Sequence, residues 1–122
     1  MSGNSIFIDS NIAIYLLDGD TTISNFLEGK NVCISFISEI ELLGYKNNAS
    51  DRKKIKAFLN GCEIIDINKD IKELTIQLRL KYKIKLPDAI VAASSIHLSS
   101  LLMSADNDFK SIEELNLALY KK

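Results

Sequence analysis

The chain has 122 residues, 47% of them hydrophobic and 25% charged, a composition that excludes a disordered polymer and suits one domain long enough to bury a real core. With 15 basic against 16 acidic residues the formal net charge is −1, so total charge carries no argument for nucleic acid. No apolar stretch approaches the roughly 20 residues that span a bilayer, and "MSGNSIFID" lacks the basic start and apolar core of a signal peptide, so a cytoplasmic protein is expected.

Short apolar runs of strand length alternate with longer amphipathic ones. The first, "SIFID" at 5–9, predicts a strand ending on Asp9, after which Ser10 can cap a helix through Leu17 that "DGD" ends. Thr21 or Thr22 opens a second short helix closed by Gly29. "NVCIS" at 31–35 predicts the second strand. Ser38 stands three residues before Glu41, the spacing of a capping box. Ser50 opens the helix "DRKKIKAFLN", whose stripe is Ile55, Phe58 and Leu59 and whose stop is Gly61.

A third strand is predicted over 62–67, "CEIIDI". Asn68 opens a helix with Ile71, Leu74, Leu78 and Tyr82 at helical spacing. Pro87 then fits the start of "LPDAIVAASSI" at 86–96, a helix whose one acid is Asp88. "SLLMS" at 100–104 and "LALY" at 117–120 complete the strands. Strands separated by crossover-length helices predict an α/β fold, a parallel sheet with helices on both faces, over 1–122 as one domain. Cys33 and Cys62 lie far apart inside apolar runs with no CxxC pairing, which points to buried reduced thiols.

In an open parallel sheet, ligands gather beyond the carboxyl ends of the strands, where strand order reverses. Asp9 ends the first strand, Glu41 follows the second, Asp106 and Asp108 follow the fourth, and Asp88 heads the helix that feeds it. Each acid has a local explanation. Asp9 suits a cap, Glu41 a capping box, Asp88 the positive end of a helix, and Asp106 and Asp108 a polar turn. Jointly they put several carboxylates at one sheet edge, where they would repel unless a divalent cation joined them. Magnesium or manganese prefers such oxygen donors, and the chemistry implied is metal-assisted hydrolysis of a phosphodiester.

These stretches resemble the PIN-domain ribonucleases, and among them the VapC-type toxins of toxin–antitoxin pairs. "FIDSNIAIYLL" is similar to the family's opening strand and first aspartate, Asp9. "ISFISEIELLGY" is similar to the second motif with its glutamate at Glu41, "LPDAIVAASSI" to the third with Asp88, and "LLMSADNDF" to the closing acidic turn with Asp106 and Asp108. Two departures stand out: Ser104 replaces the usual Thr and keeps the hydroxyl, and "LLGY" inverts the usual order of Gly and Tyr. The resemblance implies a five-stranded parallel sheet in a three-layer fold, an Mg2+- or Mn2+-dependent endoribonuclease, a small antitoxin partner and a homodimer.

Arg79, Lys81, Lys83 and Lys85 in "RLKYKIK" precede Asp88 and could hold an RNA backbone, although a solvated helix end explains them equally. "DRKKIK" at 51–56 reads as an exposed helix face. Ser10 and Ser104 are candidate donors to the carboxylates; capping and turn duties explain them too. Tyr15, Phe36 and Phe109 read as core, Tyr45 and Tyr82 receive no stacking role, and His97 reads as structural at its helix end. A PIN-like binding module without catalysis is one alternative. A phosphoacceptor receiver domain is another, weakened by the single acid after the first strand and by Asp66 lying inside the third.

Overall fold

The computed structural model describes residues 4–44 and 48–121. Its five strands are β1 (Ser5–Ile8), β2 (Asn31–Ser35), β3 (Glu63–Ile65), β4 (Leu101–Ser104) and β5 (Leu117–Leu119). All neighbours run parallel, in the order β3-β2-β1-β4-β5. The chain winds outward from β1 to β3 and then returns to the other side of β1, so strand order reverses between β1 and β4. A receiver domain of the doubly wound type has order 2-1-3-4-5, and this sheet does not follow it.

Helices α1 (Ser10–Leu17) and α2 (Thr21–Leu27) connect β1 to β2, α3 (Phe36–Gly44) and α4 (Ala49–Asn60) connect β2 to β3, and α5 (Lys69–Lys81) and α6 (Leu86–His97) connect β3 to β4. A 3₁₀ turn, Asn107–Ser111, lies between β4 and β5. Because successive side chains of a strand face opposite ways, β1 serves two cores. Ile6 and Ile8 pack with Ile12, Ile23 and Leu59 on one face. Phe7 packs with Ile71, Leu78, Val91 and Phe109 on the other. The result is a sheet between two helical layers.

Several helix starts differ from the sequence reading. Ser10, Thr21 and Ser50 were natural caps by residue type, yet Asp9, Asp20 and Asn48 take that role from extended backbone. Their longer side chains reach the amides of the first turn, as in Asp20 Oδ1 accepting from the Ile23 N–H at 3.1 Å and Asn48 Oδ1 from the Asp51 N–H at 2.8 Å. The Ser38–Glu41 capping box does not form. Helix α3 starts earlier, at Phe36, and Ser35 at the end of β2 accepts from the Ile37 N–H at 3.2 Å. Ser38 is thereby inside the helix, and its buried hydroxyl is the one buried side-chain polar atom without a partner among the described residues. Strand β3 is shorter than 62–67, as befits an edge strand paired only with β2.

Helix α6 is the most enclosed. Every residue from 89 to 95 is buried, and its two interior serines are satisfied: Ser94 Oγ donates to the Ile90 carbonyl at 2.7 Å, and Ser95 Oγ to the Ser100 carbonyl at 3.1 Å. That second bond fixes the end of α6 to the entry of β4. Asp88, at the other end of α6, directly precedes this buried run. Gly61 does end α4, but with φ −88; the left-handed turn glycines are Gly19 and Gly29, with φ of 96 and 77.

Candidate functional site

Asp9 sits immediately beyond β1 and is buried although charged. Burial costs a carboxylate unless donors compensate, and here three converge. The Ser10 backbone N–H donates to Oδ1 at 2.7 Å, while Ser104 Oγ and Asn11 Nδ2 donate to Oδ2 at 3.0 and 3.3 Å. Burial still raises its pKa, helped by the charge of Asp106 and opposed by the hydrogen bonds from Ser10 and Ser104. Asp9 is thus a helix cap and a member of the acidic group at once.

Ser104, the last residue of β4, links two acids: its hydroxyl donates to Asp9 and accepts from the Asp106 N–H at 3.0 Å. Asp106 caps the 3₁₀ turn, taking the Asp108 N–H on Oδ1 at 2.9 Å. Asn11 forms a second link that the sequence reading missed. Its Nδ2 reaches Asp9 and its Oδ1 accepts from the Ala105 N–H at 3.1 Å, so it ties the start of α1 to the acidic turn 94 positions away. The only hint in sequence was an amide in the first turn of an otherwise apolar helix.

Asp88 contrasts with Asp9. It lies in the first turn of α6, whose Lys85 cap makes no side-chain hydrogen bond, and its own carboxylate accepts no hydrogen bond within the described residues. A helix start would favour ionisation. Instead burial first, then the charges of Asp106, Asp9 and Asp108, push its pKa up to about 6, against a small opposing pull from Lys85. The dipole reading of Asp88 is therefore outweighed by crowding among acids. Glu41, on the exposed side of α3, is raised by burial and by the charge of Asp9, with the Ser10 side chain opposing.

One oxygen each from Asp88, Asp106 and Asp108 lies within 4.8 Å of the other two. Asp9 and Glu41 lie outside that group of three; Asp9 is coupled through charge to Asp106 and Asp88, and Glu41 to Asp9 alone. All-oxygen donors suit a hard divalent cation such as magnesium or manganese. Softer ligands are elsewhere. His97 is exposed at the far end of α6, and the thiols of Cys33 and Cys62 are free, each pushed up to about 11 by burial.

Beside the acids opens a groove of about 830 Å³ lined by Arg79, Lys83, Ile84, Lys85, Asn107, Asp108, Lys110 and Ser111. The predicted cationic run is split by it. Lys81 points away and pairs with Glu114 at 3.2 Å, and Tyr82 Oη donates to the same carboxylate. Lys110, unremarked in the sequence, joins the groove. Phe109 is fully buried and Tyr15 packs against Tyr120 with centroids 6.2 Å apart, so neither is an open stacking platform. Tyr45 and its inverted Gly–Tyr order lie outside the described residues.

Comparison with known proteins agrees with this fold. The toxin–antitoxin complex from Klebsiella pneumoniae contains a chain 32% identical, with a TM-score of 0.78 over 90% of this chain and 94% of that one. VapBC2 from Rickettsia felis, bound to a DNA fragment from its promoter, superposes with a TM-score of 0.86 at 23% identity over 96% and 99%. FitAcB from Neisseria gonorrhoeae gives 0.77 at 17% identity over 92% and 95%. No curated protein sequence matches. The PIN domain model matches residues 6–115, and the chain belongs to the PIN-domain family.

Proposed function

We propose that the chain is the toxin of a VapBC-type pair, an Mg2+- or Mn2+-dependent endoribonuclease that hydrolyses RNA phosphodiester bonds. It would act in the cytoplasm as a homodimer, with residues 1–122 forming one nuclease domain, and a small cognate antitoxin would silence it. The observation that carries this reading is the convergence of Asp88, Asp106 and Asp108 within 4.8 Å, with Asp9 coupled to Asp88 and Asp106 through charge and Glu41 in turn to Asp9. The toxin–antitoxin relatives supply the biological setting.

Asp9, Glu41, Asp88, Asp106 and Asp108 would hold the metal. A bound divalent cation supplies charge stabilisation at the phosphate and a more acidic water. The chain's own contribution is orientation. Ser10, Asn11 and Ser104 fix the Asp9 carboxylate, and Ser104 couples that position to the Asp106 backbone. Asp88 keeps both oxygens free of protein donors, available for ligation.

Incubating the purified protein with total RNA in Mg2+, Mn2+ or chelator, then mapping the cut ends, tests the proposal. Metal-dependent cuts at defined positions are expected, lost on chelation and in Asp106→Asn. RNA bound but uncut in every metal would make the chain a binding module instead.

A further inference from the structure

The acids are flanked unequally. Among the described residues, helices α1 and α3, which carry the Asp9 and Glu41 side, contain no Lys or Arg in "SNIAIYLL" and "FISEIELLG", and Arg52 of α4 reaches only the last turn of α3, donating to the Leu43 carbonyl at 2.9 Å. On the Asp88 and Asp108 side, the groove gathers Arg79 from the end of α5, Lys83 and Lys85 from the following segment, and Lys110 from the 3₁₀ turn. Asp108 belongs both to the groove lining and to the carboxylate group, so the groove opens directly onto the acids.

None of these four cationic side chains makes a hydrogen bond or ion pair within the described residues, where the single salt bridge is Lys81–Glu114. Asp108 shares their wall and Lys85 also attracts Asp88, but cations remain in excess along the concavity, an imbalance that a polyanion removes. Asn107 and Ser111 add polar side chains along the same wall.

We infer that Arg79, Lys83, Lys85 and Lys110 form a one-sided phosphate track: the substrate backbone is gripped on the Asp108 side of the scissile phosphate, and no cation of α1 or α3 grips it on the other. The inference rests on the nuclease reading for the identity of the polyanion as single-stranded RNA. It excludes Lys81 despite its place in the same sequence run, and it adds Lys110 from a distant one.

Binding of a fluorescent twelve-nucleotide oligouridylate, measured in chelator across a salt series, tests it without cleavage. Each phosphate contact on a single strand contributes about 0.7 to the slope of log affinity against log salt. Arg79→Ala, Lys83→Ala, Lys85→Ala and Lys110→Ala should each flatten the slope by about that amount, whereas Lys81→Ala, and Lys53→Ala with Lys54→Ala on α4, should leave it unchanged. All these side chains are exposed, and unfolding curves will show that the variants fold. A slope indifferent to the groove variants, or equally sensitive to the α4 pair, overturns the track.

Its one-sidedness is tested on the mapped cut site. RNA shortened from one end should lose binding, and RNA shortened from the other should keep it; equal loss from both ends overturns the asymmetry. A protein that passes the salt test yet cuts no RNA refutes the nuclease reading and leaves the cationic groove standing.

Discussion

The turn after β1 and the start of α6 each place one aspartate in the same acidic group, and they treat it in opposite ways. Asp9 is the more buried of the two and is wrapped by three donors. Asp88 is half-buried and bare, with a pKa near 6. The difference teaches that the protein orients one carboxylate itself and supplies no donor to the other. Donors of the first kind fix a carboxylate's orientation, and a carboxylate of the second kind keeps its oxygens open to an exchangeable ion.

Removing the bare carboxylate should have the largest effect. Asp88→Asn is expected to lower RNA cleavage by at least about 10²-fold, read as the cut fraction at saturating Mg2+; cleavage at the parent rate would take Asp88 out of the site. Loosening the wrapped carboxylate should cost less. Asn11→Ala removes one donor to Asp9 and the tie to Ala105, and is expected to weaken Mn2+ affinity by about 10-fold or more in titration calorimetry. Unchanged affinity would make Asn11 a mere turn residue.

The same comparison predicts a pH dependence. The Asp88 pKa is raised in the folded chain from 3.8 to about 6, so the metal-free folded state holds more protons than the unfolded one across that window. Stability therefore falls as pH rises from about 4 to 6, and Asp88→Asn should shrink the fall, leaving the share of the raised Asp9 and Glu41 carboxyls. At one pK unit per 1.36 kcal/mol, discounted for solvent screening, the variant should gain on the order of 1 kcal/mol at neutral pH in chelator and nothing below pH 4. Denaturation curves at both pH values decide this. Metal affinity runs the other way and strengthens through pH 6, because the ion displaces that proton. The smallest effect concerns Ser38. Replacing its unpartnered buried hydroxyl by Ala is expected to leave stability unchanged or raise it by up to about 1 kcal/mol, and a clear loss in the same denaturation curves would mean that Ser38 has a role its position does not reveal.

Much of this was legible in the chain. Alternation of apolar strand runs with helical stripes carries the parallel layered architecture, because burial on both faces leaves its period in the residues themselves. The acids Asp9, Glu41, Asp88, Asp106 and Asp108 could be picked out because strand ends in such a sheet share one edge. Their treatment could not. Which residue caps α1, α2 and α4 turned on side-chain reach, and the capping box at Ser38 failed because α3 begins a turn earlier than the serine suggests.

Only the tertiary structure decided which cations face the acids. Lys81 and Lys83 are neighbours in one basic run, yet Lys81 pairs with Glu114 while Lys83 lines the groove with Lys110. Likewise Asn11 gains its role from a backbone amide 94 positions away. Local pattern determines which faces are buried, since that depends on the period of a single element. Electrostatic partners and hydrogen-bond bridges depend on distances between elements, and those exist only once the sheet has brought its strand ends together.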